Sequence, residues 1–368
     1  MKRVSWAVAI VVVISLFGMV LVGCGGTTTT TKAPETTTTA AGGEATTTTA
    51  EATTTTAGKP VELKVAFFAP EATFPGKATM WFNEELQKAT NGQVTVKWFP
   101  GGTLLTAQNM YDGVLEGVAD IGVSCPTYEP GRFPLLSIND LPGLYETGAQ
   151  GSAAIYDVVM ANKDIAELKD FHVVTIFTME PGRIMSIKEY TTLASLKGEE
   201  IRSAGGPKAL EALGAVGVGM PQSEVAQALQ THVISGILTS RETLKDFKYA
   251  ELCKYVLDYP LTQVTFLAVM THDKYNSLPD NVKKAIDDLG KPYSVKGGEI
   301  IDTTALEGLE WGIANEGVKV VTLSPEEKKN FDDALAPLVQ NWLKDVAAKG
   351  LPAEDFHKQL TEAAAKYK

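Results

Sequence analysis

Four histidines, His172, His232, His272 and His357, are the side chains best suited to metal binding or to acid–base work near neutrality. None falls in the His-Glu-x-x-His spacing that sets two imidazoles and a base on one helix face. There is no Gly-x-Ser-x-Gly elbow for a nucleophilic serine and no phosphate loop of the Walker type. Gly214-Ala-Val-Gly217-Val-Gly219 is rich in glycine, but its spacing is not a dinucleotide fingerprint; it reads as a tight turn from helix to strand. Cys125 lies in an apolar, strand-like run and Cys253 in a helical pattern, so both read as buried thiols; a disulfide is the alternative, and spacing alone does not decide it. These residue types and spacings call for no metal, no cofactor and no catalytic residue.

The other chemistry-bearing stretch is at the start. Lys2 and Arg3 precede an apolar run from Val4 to Val22, which ends in Leu21-Val22-Gly23-Cys24. A basic start, an apolar stretch and a small residue before the cut form an export signal. The final residues resemble the lipobox of bacterial lipoproteins, which implies a signal peptide over 1–23 and lipidation of Cys24. An uncleaved membrane helix is the other reading, since about 17–25 apolar residues span a bilayer. Both readings put the body outside the cytoplasm.

Residues 24–59 are almost all Thr, Ala, Gly and Glu, with Thr runs at 27–31, 36–39, 46–49 and 53–56. Without large apolar side chains such a segment cannot offset its ordering entropy, so a disordered stalk is expected. Its typical span would be about 30–35 Å. The Thr runs would suit glycosylation in a mucin-like stalk.

The remaining 60–368 suffices for two domains. Losing Lys2 and Arg3 with the signal takes the net charge from −11 to about −13. An acidic surface argues against nucleic acid and anionic lipid as partners. An anionic ligand would need positive charge placed locally.

The elements must position whatever site exists. Val61–Phe67, Val94–Trp98 and Asp120–Ser124 read as strands, alternating with helices over Lys77–Thr90 and Leu104–Val118. That order implies a parallel sheet wrapped by helices. Helices across Ala149–Leu168 and a strand at Phe171–Phe177 complete the first unit. Strands at Ile184–Ile187, Glu200–Ser203 and Val233–Leu238, with helices at Lys208–Leu213 and Ser223–Thr231, indicate a second α/β unit. Val264–Met270 returns to the first. Helical stretches at Pro279–Leu289 and Gly297–Glu316 are separated by Gly290 and Pro292, and a capped helix starts at Ser324-Pro325-Glu326-Glu327, kinks at Pro337 and ends at Gly350.

Within Gly182–Leu252 the succession Gly182-Arg183, Ser195-Leu196-Lys197-Gly198, Ile201-Arg202, Glu211-Ala212-Leu213-Gly214-Ala215, Met220-Pro221-Gln222-Ser223-Glu224-Val225 and Ala228-Leu229-Gln230 resembles the DctP-type solute-binding proteins of tripartite ATP-independent periplasmic (TRAP) transporters. Gly101-Gly102-Thr103-Leu104, Leu115-Glu116-Gly117-Val118-Ala119-Asp120 and Phe133-Pro134-Leu135 are similar to that family's N-terminal half. Leu278-Pro279, Leu323–Glu327 and Lys349-Gly350-Leu351-Pro352 resemble its C-terminal part. The resemblance implies an α/β, two-lobed periplasmic-binding-protein-like fold with a hinge, a ligand cleft between the lobes and a helical C-terminal part. Lobe one would hold 60–181 plus about 270–308, and lobe two 182–269 plus about 309–368. It also implies a receptor that traps a small organic acid and delivers it to the small and large membrane subunits of a TRAP permease, with no chemistry performed.

By that resemblance Arg202 forks onto the ligand carboxylate, which suits a permanently charged, planar guanidinium. Arg183 matches a second family arginine, with a structural or hinge role as the alternative. The family's further polar contact falls near Thr239, where His232-Val233-Ile234-Ser235-Gly236 departs from the usual turn. Ligands of open α/β sheets sit beyond the carboxyl ends of the strands. Phe68 and Glu71 after the first strand, and Ser124 and Tyr128 after the third, are therefore candidates for the facing wall. The rival readings are a binding protein or sensor for another uptake system, a tethered hydrolase using a carboxylate pair, and a structural surface protein.

Overall fold

The computed structural model describes residues 59–206 and 208–368. The signal peptide, Cys24 and nearly all of the proposed stalk lie outside the described residues.

Strand β1 (Val61–Phe67) pairs in parallel with β2 (Val94–Phe99) on one side and β3 (Ile121–Ser124) on the other. The βαβ order of the sequence dictates this, because a crossover helix returns the chain to the same end of the sheet. Helix Phe74–Ala89 makes the first crossover and stops at Asn91 and Gly92, both at positive φ. The second crossover is shorter than its apolar spacing suggests: only Met110–Leu115 is helical. Asn109 is the reason, its Oδ1 accepting from the Thr106 amide and hydroxyl at 2.7 and 2.9 Å and holding the chain in a turn.

After helix Gly148–Ala161, β4 (Phe171–Thr178) forms the sheet edge, and a later strand, β10 (Thr265–Thr271), inserts antiparallel between β3 and β4. The first sheet therefore runs β2-β1-β3-β10-β4. Between β4 and β10 the chain builds the second lobe from β5 (Arg183–Ser186), β6 (Glu200–Ser203), β7 (Val216–Gly219), β8 (Gly236–Thr239) and β9 (Tyr255–Leu257), joined by β11 (Lys319–Val321). That sheet runs β11-β9-β5-β8-β6-β7. Gly214, at φ +83°, makes the turn into β7 that its glycine-rich sequence suggests.

Two peptide crossovers join the lobes, Met179–Gly182 and Asp258–Val264. They are laced together: the Gly182 amide donates to the Thr262 carbonyl at 2.8 Å, the Leu261 amide to the Gly182 carbonyl at 2.9 Å. Gln263 Nε2 donates to the Met179 carbonyl at 3.0 Å.

Asp280–Glu316 is one continuous helix, not two stretches broken at Gly290 and Pro292. Pro292 removes one N–H, but tertiary bonds hold the flanking turns in place. Thr175 Oγ1 donates to the Gly290 carbonyl at 2.6 Å, and Ser294 Oγ donates to the Ile176 carbonyl at 2.7 Å. This helix packs on Phe74–Ala89, Gly148–Ala161 and β4 in the first lobe and on the short helix Thr243–Asp246 in the second. It is the third connection between them.

Pro337 separates two helices, Pro325–Leu335 and Leu338–Ala347, where the sequence suggests one kinked helix. Ser324 caps the first as expected, but Glu327 accepts no reciprocal bond from the Ser324 amide: its carboxylate accepts from the Leu193 amide at 2.7 Å. The last helix, Ala353–Lys366, is a departure from the lobe assignment of about 309–368. It packs on Gly148–Ala161 of the first lobe, with Gln150 Nε2 donating to the Ala364 carbonyl at 2.9 Å and Asn162 Nδ2 to Gln359 Oε1 at 2.7 Å. Among the described residues no helix is long and apolar enough to cross a membrane.

Candidate functional site

The carboxyl ends of β1 and β3 in one lobe face those of β6 and β8 in the other. Side chains on a strand alternate between faces. In β6 this sends Ile201 into the core and leaves Arg202 on the cleft side, yet only 1% exposed. Its guanidinium donates through Nε and Nη2 to the Met220 carbonyl, at 3.0 and 2.8 Å, and through Nη2 to the Tyr128 hydroxyl at 3.4 Å. Arg202 has no ion pair among the described residues, whereas Arg183 and Arg241 both engage Glu180. An unpaired buried cation is costly to hold out of water and is completed by an anion.

The cavity around it has an apolar body. Phe68, Phe74, Met179 and Phe266 line it, with Tyr128 and Cys125 from the loop after β3. The rings pack edge to face and offset: Phe68 lies 5.3 Å from Tyr128, and Phe74 lies 5.1 Å from Phe266. Burial pushes the Tyr128 phenol up to about 12, with Cys125 adding to the shift and Arg202 opposing it. Burial likewise pushes the Cys125 thiol well up, Arg202 again opposing. Both stay protonated at neutral pH. Cys125 and Cys253 are buried and free.

Polar groups of the second lobe complete the wall: Thr239 at the end of β8, then Ser240, Glu242 and Gln222. The free space is only about 40 Å³. A cavity of roughly 150 Å³ takes up a benzene ring, so an organic ligand enters only when the lobes part.

Of the residues singled out from sequence, the fold brings Arg202, Thr239, Phe68 and Tyr128 to this one cavity. It does not bring the other three. Glu71 is exposed, 3.3 Å from Trp98 Nε1, which donates to it. Ser124 is buried, its Oγ donating to the Ala107 carbonyl at 3.0 Å. Arg183 belongs to the hinge: Nη1 donates to the Pro181 carbonyl at 2.8 Å and Nε to Asp258 at 3.3 Å, bridging the two crossovers. Sequence reasoning missed Phe74, Phe266 and Glu242. Phe74 reads as part of the loop before a helix expected at Lys77–Thr90, although the helix starts at Phe74 itself; Phe266 sits in a strand pattern with no site signal, and Glu242 carries no pattern at all.

A larger cavity, about 510 Å³, lies beyond a contact between the lobes. At that contact a Cβ on Gly205 would meet the Thr127 carbonyl oxygen at 2.3 Å. The larger cavity is lined by Glu129, Asp140 and Asp345 and by two lysines, Lys208 and Lys349, with Lys208 paired with Asp345 at 2.8 Å and Glu129 paired with Arg132. Both of its lysines are exposed, whereas Arg202 is buried, so the smaller cavity around Arg202 is the candidate site.

Residues 65–345 match the family model described as bacterial extracellular solute-binding protein, family 7 (DctP). A TRAP periplasmic solute-binding protein from Desulfovibrio salexigens, solved as an open complex with a symmetry mate's C-terminus in its ligand site, is 35% identical; the match covers 84% of this chain and 97% of that one, with a TM-score of 0.74. A marine metagenome TRAP solute-binding protein specific for aromatic acid ligands, solved with metahydroxyphenylacetate, is 29% identical over 84% of this chain and 99% of that one, with a TM-score of 0.79. The 2,3-diketo-L-gulonate-binding periplasmic protein of Escherichia coli K12 is 26% identical, covering 74% of this chain and 82% of the relative.

Proposed function

The chain belongs to family 7 of the bacterial extracellular solute-binding proteins, a family of receptors rather than enzymes, and we propose that it captures a small organic acid and passes it to a TRAP permease. The observation that carries this reading is the buried guanidinium of Arg202, without an ion pair among the described residues, at one end of an aromatic-walled cavity between two lobes. The ligand carboxylate takes Nη1 and Nη2 as a fork. Phe68, Phe74 and Phe266 enclose its apolar part, and Tyr128 and Thr239 supply hydroxyls beside the carboxylate.

Such a site favours an aromatic carboxylate of one or two rings' width over a sugar acid, because three of its walls are phenyl rings without polar atoms. The 29% identical metagenome protein, specific for aromatic acids, supports the same class. Opening about the Met179–Gly182 and Asp258–Val264 crossovers admits the ligand, and contacts from both lobes hold the closed form. Arg183 acts in that hinge. The signal peptide over 1–23 and lipidation of Cys24 would tether the receptor outside the cytoplasm, near the small and large membrane subunits it serves.

The test is to denature protein purified from its expression host and identify released small molecules by mass spectrometry, with Arg202→Ala alongside. Calorimetric titration of both proteins with benzoate and phenylacetate accompanies it. A released or titrated aromatic acid bound by the wild type and lost from the variant is expected. A neutral ligand retained by the variant would overturn the carboxylate reading.

A further inference from the structure

Among the described residues Glu242 is the one acidic side chain in the wall of the Arg202 cavity, and its position is costly. It lies three residues past the end of β8, just before the helix Thr243–Asp246, and is 4% exposed. Its Oε2 is buried with no hydrogen-bond partner among the described residues. Buried polar atoms are almost always satisfied, so each exception asks for an explanation.

The neighbours deepen the cost. The long helix presses on this residue through Gly308, where a Cβ would meet the Glu242 Cα at 2.6 Å, so the backbone cannot retreat from the cavity on that side. Glu180 from the hinge crossover and Asp246 from its own helix both oppose its ionisation. Lys77, Lys245 and Glu307 face Asp246 rather than Glu242. The adjacent Arg241 is spent on Glu180, donating from Nε and Nη2 at 2.9 and 2.6 Å. Burial, then, with those carboxylates adding and the Ser240 hydroxyl opposing, pushes the Glu242 carboxyl up to about 8. Near neutrality it is mainly a neutral acid, able to donate one hydrogen bond and accept another. A second ligand carboxylate would meet an acidic cluster there; an uncharged hydroxyl would meet a matched partner.

We infer that Glu242 is a specificity-determining residue that hydrogen-bonds a hydroxyl carried by the ligand, so that the receptor takes hydroxylated monocarboxylic acids in preference to their unsubstituted parents. This rests on the organic-acid reading above. Arg202 stands on β6, and Glu242 follows the end of the neighbouring strand β8, in the same lobe. The second lobe therefore reads both polar groups, while the first contributes the aromatic cover. A site built to hydrogen-bond a hydroxyl rejects the analogue lacking it, because its own polar group is then left unpaired.

The experiment is isothermal titration of wild type, Glu242→Gln and Glu242→Leu with two matched pairs: benzoate with 3-hydroxybenzoate, and phenylacetate with 3-hydroxyphenylacetate. Each protein's thermal unfolding is recorded to establish that it folds. In wild type the hydroxylated member of at least one pair should bind tenfold or more tightly than its parent. That ratio should fall to within threefold in Glu242→Leu and survive in Glu242→Gln, whose amide still donates and accepts. A merely structural role would weaken both members alike and leave the ratio unmoved. Equal binding within both pairs by wild type, or a ratio that persists in Glu242→Leu, overturns the inference while leaving the organic-acid reading in place. Failure of wild type to bind any of the four acids overturns this inference and the aromatic-acid reading together.

Discussion

The guanidinium of Arg202, through Nη2, lies 3.4 Å from the hydroxyl of Tyr128, joining the ends of β6 and β3 across the cleft. Each comes from a different lobe. The bond is long for an N–H donor, so it is a contact that a carboxylate between the lobes can readily replace.

Arg202→Met separates binding from stability. The methionine fills much of the same volume without a buried charge, and replacing a buried ion by an apolar side chain is often neutral or stabilising. Affinity for the cognate acid should fall roughly 100-fold or more, or about 3 kcal/mol, while the melting temperature holds or rises. Calorimetric titration and thermal unfolding monitored by circular dichroism check both; a melting temperature far below wild type would contradict the assigned role.

Gly205→Ala tests closure. The new Cβ would meet the Thr127 backbone carbonyl of the other lobe at 2.3 Å, a contact with no flexible end to yield. Each lobe can fold with an alanine there, so the substitution should disfavour only the closed form. Apparent affinity falls with the fraction of closed molecules, and about tenfold is expected. Gly219→Ala, with nothing within 4 Å, is the control. Solution scattering should show a larger radius of gyration in the presence of ligand for Gly205→Ala than for the control.

The hinge is held by Glu180, whose Oε1 accepts from the Arg241 amide and Nε at 3.0 and 2.9 Å and whose Oε2 accepts from Arg241 Nη2 at 2.6 Å. Both side chains are largely buried. Removing one partner of such a pair leaves the other charge stranded and costs about 3–5 kcal/mol. Glu180→Gln should lower the melting temperature by roughly 10 °C. Adding Arg241→Met should recover part of that loss, because the stranded cation goes with it.

Glu242 gives a pH dependence of defined sign. Its pKa rises from 4.5 to about 8 on folding, so between those values the folded state binds more protons than the unfolded one. Stability contributed by this group therefore falls as pH rises from 4.5 to about 8 and is level outside that window. Glu242→Gln cannot titrate. The wild type should lose stability relative to the variant between pH 5.5 and pH 8, by several degrees of melting temperature, and an unchanged difference across that range would exclude the buried acid as its source.

Much of the first lobe was legible because local pattern and topology agree there. Val61–Phe67 alternates, Asn91-Gly92 stops the helix, and a strand–helix–strand order leaves a parallel pairing as the rule. Arg202 was legible only through its place in a succession of short motifs; the residue type alone would suggest a solvated charge. Arg183 had the same support, yet its neighbours Glu180, Pro181 and Asp258 draw it into the hinge. Those contacts come from the two crossovers lying side by side, which no local spacing encodes. Phe74 read as loop and is the first residue of its helix, and Phe266 read as strand and is one; the cleft ends where they stand.

The sequence by itself determined the two α/β units, the parallel pairing at the start of the first of them and the absence of the catalytic motifs sought, while the antiparallel insertion of β10 into that sheet was not legible. These follow from periodicity, turn residues and side-chain chemistry, which act over a few residues; Arg202 was singled out only by what the family resemblance implies. Tertiary structure decided the rest. It carried the helix Asp280–Glu316 straight through Pro292, because bonds from Thr175 and Ser294 hold the turns that proline loosens. It laid the last helix back on the first lobe. It stripped Arg202 of water without giving it a counter-ion among the described residues, and left Glu242 buried beside two other carboxylates. Burial and charge crowding are sums over everything that packs around a group, so they exist only once the two lobes have met.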